Sequence, residues 1–239
     1  TYLKSKSQHY AGYLVAMSNP KSIQDEILHF TSALIETGLC LDQNYPSVIE
    51  TNHREGRIHI IGISGVEDIS FALRNISYQE TYAELRARRC FNLSMPDGGL
   101  VQMLYTFQRG HLAKHTLSFL PSPDLLEFQN NPEIYIEDVL YAEVISRNIV
   151  VTPIRFDYDP GNYVDYHHPK SHLTIGQYKN CRIPVSAPLT PYQFLSFVLR
   201  SFYNTAFNAY CEKISPRAAF FDASISDREQ SLPHFRSIV

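Results

Sequence analysis

Two short runs of the sequence carry polar side chains at alternate positions between apolar ones. Along the first run, alternation places the apolar residues on one face of a strand and leaves Arg155 and Asp157 together on the other. Along the second run, the same rule leaves His172 with Thr174. Arginine matches phosphate oxygens with a planar fork, histidine exchanges protons near neutral pH, and aspartate can orient an imidazole. This combination suits the cleavage of a phosphodiester bond.

More basic and imidazole side chains lie nearby in the sequence. Arg182 occupies the polar phase of a third run, and the loop before the second run carries three further candidates, stiffened by Pro169. If the three runs are neighbouring strands, all these side chains collect on or beside one face of a sheet. The predicted site comprises the catalytic residues His172, His168, Arg155, Asp157 and Arg182 and the substrate contacts Lys170, Thr174 and His167.

The predicted chemistry is metal-independent cleavage of RNA, which needs two proton transfers and a charge clamp. In this scheme His172 and His168 share the acid and base roles, Arg155 and Arg182 clamp the phosphate, and Asp157 orients an imidazole. A metal site built from the histidines and an aspartate is an alternative, although the spacing matches no named metal motif. A second alternative is an ordinary solvated sheet face. The prediction includes no metal and no cofactor.

The helices that support this face are predicted from capping residues and apolar spacing. One helix begins at Pro20, after the N-cap Asn19, and runs to about Thr37. A shorter helix begins at a capping box formed by Ser77 and Glu80. A long C-terminal helix is predicted from Thr190–Pro191 to about Lys213, with an apolar stripe along its length.

The strands are predicted where the apolar period changes to two. Leu100–Phe107 and His111–Leu120 are separated by a turn and form an antiparallel meander. His115 falls in the apolar phase, which predicts a hydrogen-bonded core histidine. Further strands are predicted over Val150–Tyr158 and Cys181–Val185.

Together these elements predict a single α+β domain over residues 1–239. Its mainly antiparallel, twisted sheet is packed by the N-terminal helix and the long C-terminal helix. The predicted parts are a helical N-terminal part over 1–90, the sheet over 91–185, the helix over 186–213 and a tail over 214–239. Within the tail, the polar segment Ser224–Ser231 is predicted to be mobile or docked on a partner.

Composition excludes several classes of protein. The 239 residues contain 21 Lys and Arg against 24 Asp and Glu, a formal net charge of -3, which argues against coating nucleic acid by overall charge. A hydrophobic content of 44% excludes intrinsic disorder. No apolar run approaches the roughly 18 residues of a membrane span, and the four scattered cysteines are typical of reduced thiols. We therefore expect a cytoplasmic protein without a membrane partner.

Six segments of the chain resemble the motifs of one protein family. They are Asp97–Gln102, Lys114–Pro123, Arg155–Tyr158, His168–Gly176, Cys181–Val185 and Pro191–Tyr203. The family they resemble is a bacterial one of unknown function, the 2290 family of domains of unknown function, over about Ile23 to Tyr210. The resemblance implies a bacterial cytosolic protein encoded among phage-defence or toxin–antitoxin genes, with a protein partner from the same operon.

The order Arg-x-Asp…His…His is also similar to that of small toxins from such gene pairs. That resemblance implies RNA cleavage, with His168, His172 and Arg155 as the corresponding positions. The first functional hypothesis is therefore a nucleic-acid-directed effector of a defence or toxin module, a ribonuclease. The competing hypothesis is a non-catalytic adaptor that docks a partner effector protein. Side chains that converge in a concave site favour the enzyme, and a flat or buried arrangement favours the adaptor.

Overall fold

A computed structural model describes residues 16–54, 56–63, 76–123, 151–178, 180–210, 212, 214 and 219–237. Its helices are α1 (Pro20–Glu36), α2 (Tyr78–Ala87), α3 (Pro191–Phe202), α4 (Asn204–Tyr210) and α5 (Asp227–Gln230), with a 3-10 turn at Pro160–Asn162. Its strands are β1 (Ala16–Met17), β2 (Asp42–Gln43), β3 (Ser47–His53), β4 (Gly56–Gly62), β5 (Leu93–Ser94), β6 (Leu100–Gln108), β7 (His111–Leu120), β8 (Ile154–Tyr158), β9 (Ser171–Ile175), β10 (Ile183–Pro184) and β11 (Ala219–Phe220).

Nine of these strands form one antiparallel sheet, which confirms the predicted α+β class. The order along the sheet is β10-β9-β8-β7-β6-β4-β3, and β5 joins β6 to β2 beside this path. Strands β1 and β11 form a separate parallel pair. The sheet thus begins earlier in the chain than the predicted span 91–185, because the hairpin of β3 and β4 lies within the first 90 residues.

The predicted helix starts are confirmed by their caps. The side chains of Asn19, Ser77 and Thr190 each accept a hydrogen bond from the backbone N–H three residues further on, and each of the three helices has a complete capping box. These bonds satisfy N–H groups that have no partner inside the helix, so the chain turns into a helix at these residues.

The two faces of the sheet are covered differently. One face packs against α1 and α3 and carries the main core. The largest fully buried side chains of that core include Phe30, Tyr105, Phe107, Phe119, Phe156 and Phe194. The opposite face is covered near β5 and the adjoining ends of β6 and β7 by a smaller apolar cluster around α2, made of Tyr82, Leu85, Cys90, Phe91, Leu100 and Leu120. The polar residues of β8 and β9 lie on this second face.

The long C-terminal helix of the prediction is interrupted at Tyr203. The backbone of Tyr203 leaves the helical region (φ -136°, ψ 46°), and α4 begins one residue later. The hydroxyl of Tyr203 donates a 2.8 Å hydrogen bond to Asp97 Oδ1 in the buried turn before β6. The same carboxylate oxygen accepts the N–H of Gly99 at 3.0 Å. We attribute the break to this anchor, because a continuous helix would carry Tyr203 past the turn.

Two predicted strands are shorter in the structure, one of them because Pro153 lacks an N–H for the ladder. Strand β8 begins at Ile154, directly after Pro153, instead of at Val150, which lies outside the described residues. The predicted strand Cys181–Val185 reduces to Ile183–Pro184.

The C-terminal tail packs on this chain, including the polar segment Ser224–Ser231, whose docking on a partner stays a prediction. That segment leads into α5, whose Glu229 is fully buried. Further along the chain, the backbone of Phe235 forms a β-bridge with Val185, and its ring packs edge-to-face on that of Phe156, with the ring centroids 5.2 Å apart. The tail thus completes the core beside the β10 edge of the sheet. None of the helices in the described part of the chain is long and apolar enough to cross a bilayer.

Candidate functional site

The pairing of β8 with β9 brings the predicted polar residues to one place. Arg155 lies opposite Thr174, and Asp157 lies opposite His172. Because residues opposite each other in a sheet share a face, these four side chains lie together, as alternation predicts. On the other flank of β8, Asp157 lies opposite Thr116 of β7.

Asp157 is the centre of the cluster. Its Oδ2 accepts a 2.6 Å hydrogen bond from Arg155 Nε and lies 3.6 Å from His172 Nε2. Its Oδ1 accepts a 3.1 Å hydrogen bond from the hydroxyl of Thr116. The side chains of Arg155, Asp157 and His172 are 31%, 12% and 5% exposed. The cluster is therefore buried at His172 and opens to solvent at Arg155.

His172 is held in its orientation by a hydrogen bond from its ring to the backbone. Nδ1 lies 3.0 Å from the carbonyl oxygen of Pro169, so we assign the ring proton to Nδ1, which donates to that oxygen. Burial lowers the pKa of His172, against the charge of Asp157, which raises it. The ring is therefore neutral at pH 7, and its second nitrogen faces Asp157. With 5% of its side chain exposed, His172 lies at the buried end of the cluster.

His168 stands beside this group with an unused nitrogen. Its ring centroid lies 4.9 Å from that of His172. Its Nδ1 is buried and has no hydrogen-bond partner among the residues that the structure describes. The backbone of His168 is fixed by a bridge to Val164, with a 2.7 Å hydrogen bond from His168 N to the carbonyl of Val164. A buried polar nitrogen without a partner is a candidate for a ligand or a proton.

The remaining predicted residues lie around this cluster but do not join it. Arg182 is half-buried just before β10, next to the position of Thr174. The ammonium of Lys170 lies 5.0 Å above the ring of Tyr163. His167 is exposed on the hairpin before β9. Within the described ranges, no three His, Cys, Asp or Glu residues are placed to hold a metal ion, so the alternative metal site has no support in the geometry.

Sequence reasoning missed the contribution of β7. Thr116 binds Asp157, and Ser118 lies opposite Arg155. The signal was present, since these residues alternate with the buried His115, Leu117 and Phe119 of the same strand. What the pattern lacked was the pairing of β7 with β8, which joins segments about 40 residues apart and has no local signature.

Comparison with known proteins gives a family and nothing more specific. The family model described as an uncharacterized conserved protein, DUF2290, matches residues 39–237. No curated protein and no solved structure shows a significant match to the chain. The matched range contains every strand from β2 to β11 and all residues of the cluster. The chain therefore belongs to the DUF2290 family of uncharacterized conserved proteins.

Proposed function

We propose that this protein is a nucleic-acid-directed effector of a bacterial defence or toxin module and that it cleaves RNA at the Arg155–Asp157–His172 cluster. The observation that carries the proposal is that the side chains of Arg155, His172 and Thr116 all meet at the carboxylate of Asp157, beside the half-buried ring of His168. The defence or toxin setting rests on the sequence resemblance.

We assign the roles within the cluster from the exposure of each side chain. Because Arg155 uses Nε for Asp157 and its side chain is 31% exposed, its two terminal nitrogens are offered to phosphate oxygens. His168 is the proton-transfer group, because its side chain is only half-buried and its ring lies beside that of His172. Asp157 and His172 are positioning residues. His172 thus takes a supporting role instead of sharing acid and base work with His168.

The reaction that this arrangement supports uses the 2′-hydroxyl of RNA as its nucleophile. His168 accepts the hydroxyl proton while the 2′-oxygen attacks phosphorus, and Arg155 stabilises the negative charge on the phosphate oxygens. The bond between phosphorus and the 5′-oxygen breaks, and that oxygen takes a proton from water. The products carry a 2′,3′-cyclic phosphate and a 5′-hydroxyl.

The test measures cleavage of a labelled single-stranded RNA by the wild type and by two single variants. Arg155→Ala removes a charge clamp, and His168→Ala removes the base. Each is expected to slow cleavage by about 100-fold or more. Expression of the wild type is expected to arrest bacterial growth, and expression of either variant is not. The cyclic phosphate at the new 3′ end identifies the reaction.

His111→Ala is the matched control. His111 is an exposed histidine in the same sheet, at the hairpin end of β7 opposite Gln108, away from the cluster. It is expected to cleave at the wild-type rate. Equal cleavage by the wild type, Arg155→Ala and His168→Ala, with unchanged circular dichroism and melting temperature, refutes the proposed site.

One observation favours the adaptor as a second candidate. Strand β3 is an edge of the sheet, and large apolar side chains are exposed along it and before it, at Leu41, Tyr45, Val48 and Ile49. Exposed edges with apolar side chains accept further strands. If Ile49→Lys abolishes the growth phenotype while His168→Ala leaves it intact, the adaptor is favoured.

A further inference from the structure

A strained hairpin presents an aromatic ring next to the candidate site. Val164 and His168 form a bridge that closes the hairpin. At its tip, Tyr166 has φ +72°, in the left-handed region that bulky side chains rarely adopt. Its side chain remains 41% exposed. Such strain persists only where the surrounding structure imposes it, and it is concentrated at functional sites.

The C-terminal tail packs against this tip. The hydroxyl of Ser226 donates a 2.9 Å hydrogen bond to Asp165 Oδ1, directly before the tip. The guanidinium of Arg228 lies 4.8 Å above the ring of Tyr166. Ser226 is fixed in turn by the buried Glu229, whose carboxylate accepts the N–H of Ser226 at 2.9 Å. The tail thereby holds an exposed ring that gains little burial in return.

Planar and cationic groups alternate around this tip. The guanidinium of Arg228, which is 66% exposed and pairs with Asp165 at 3.7 Å, lies over the ring of Tyr166, and the ammonium of Lys170 lies 5.0 Å above the ring of Tyr163. The ring of His167 contacts Tyr166 edge-to-face at 5.3 Å. Aromatic rings and guanidinium planes beside cations are the groups on which single-stranded nucleic acids stack their bases while the cations face the phosphates. The hairpin then continues directly into His168.

We propose that this hairpin, with Arg228, is a stacking platform for an unpaired base of single-stranded RNA. This inference rests on the proposed function and specifies its substrate: a strand whose base stacks on the Tyr166–Arg228 pair while a neighbouring phosphate reaches Arg155. Bases inside a duplex are already stacked and hidden. The platform therefore selects single-stranded over double-stranded RNA.

The substitution Tyr166→Gly separates an effect on RNA binding from an effect on stability. Glycine adopts φ +72° without strain, so this variant is expected to be no less stable than the wild type in thermal unfolding. It lacks the ring, so it is expected to bind RNA about 10-fold or more weakly. Tyr166→Phe keeps the ring and is expected to retain wild-type affinity. Tyr45→Ala is the control, because Tyr45 is an exposed tyrosine close to the β3 edge of the sheet.

Binding is measured by fluorescence anisotropy with a short 2′-O-methylated RNA, which cannot be cleaved by the proposed reaction. A duplex of the same sequence and a single-stranded DNA serve as competitors. Weaker binding by Tyr166→Gly, with wild-type binding by Tyr166→Phe and Tyr45→Ala, supports the platform. Equal affinity of the wild type and Tyr166→Gly overturns it, as does failure of the wild type to bind single strands or a preference for the duplex.

The cleavage reaction and the stacking platform can each fail without the other. If Tyr166→Gly loses binding but the wild type cleaves no RNA, the platform stands without the reaction. If RNA is cleaved with an unchanged KM by Tyr166→Gly, the reaction stands and the platform falls.

Discussion

Lowering the pH is expected to destabilise this protein through His115. The ring lies in the core, where its Nε2 accepts the N–H of Leu189 at 3.2 Å and its faces meet Tyr105 and Tyr158. Burial lowers the pKa of His115 from 6.5 to about 4; the charge of Asp157 acts in the opposite direction, and that of His172 in the same one. The folded protein therefore binds a proton at His115 at a lower pH than the unfolded chain does.

The sign and size of the effect follow from this difference. Above pH 6.5 neither state is protonated at His115, and the stability is fully present. As the pH falls toward 4, the unfolded chain takes up a proton that the folded core excludes, and stability is lost. Between pH 7.5 and pH 5 the loss amounts to about 2 kcal/mol in the free energy of unfolding. The carboxylates of low pKa, such as Asp159 and Asp165, respond below this window.

Urea unfolding between pH 5 and pH 7.5, followed by circular dichroism, tests this on the wild type and His115→Gln. Glutamine can accept the Leu189 N–H but carries no titrating group, so the variant is expected to lose most of the pH dependence. The part due to His172, whose pKa is also lowered, remains. An unchanged slope in His115→Gln, or an NMR titration of His115 near pH 6.5, refutes the reasoning.

Three further changes test the contacts that hold the fold, each by the midpoint of urea unfolding. Gly99→Ala places a Cβ 2.7 Å from the hydroxyl of Tyr203 and is expected to destabilise the protein by about 1–3 kcal/mol, since the turn is closely packed. Thr190→Ala removes the N-cap of α3 and is expected to cost about 1 kcal/mol. Phe235→Ala removes a partly buried ring that packs on Phe156 and is expected to cost about 2 kcal/mol and to loosen the tail in hydrogen exchange. A wild-type midpoint for any one of them contradicts the contact it probes.

The residues that form the candidate cluster can largely be predicted from the sequence, but the burial of their side chains cannot. Arg155, Asp157, His172 and Thr174 were assigned to one face because the side-chain period of a strand is local. The burial of His172 could not be predicted, because it depends on what packs over a face, which alternation does not report. The burial of His172 is the reason why we propose a supporting role for it, whereas the sequence predicts proton transfer.

The helix break at Tyr203 illustrates the same limit. The apolar stripe continues past this residue, so the spacing predicts one helix to about Lys213. The interruption coincides with a hydrogen bond between Tyr203 and Asp97, which lie 106 residues apart. Similarly, the polar composition of Ser224–Ser231 predicts a segment that is mobile or docked on a partner, and it does not reveal the contacts of Glu229 and Phe235 that pack the tail on this chain.

Local patterns in the sequence are enough to predict where the helices begin, which runs form the central strands and which residues share a strand face. These features depend on caps, turns and periodicities within a few residues of one another. The tertiary structure alone decided that β7 supplies Thr116 to Asp157, that His172 is buried, and that the tail holds Tyr166 in a strained, exposed position. These depend on contacts that the folded chain makes between segments far apart in sequence, and no local pattern encodes which segments will meet.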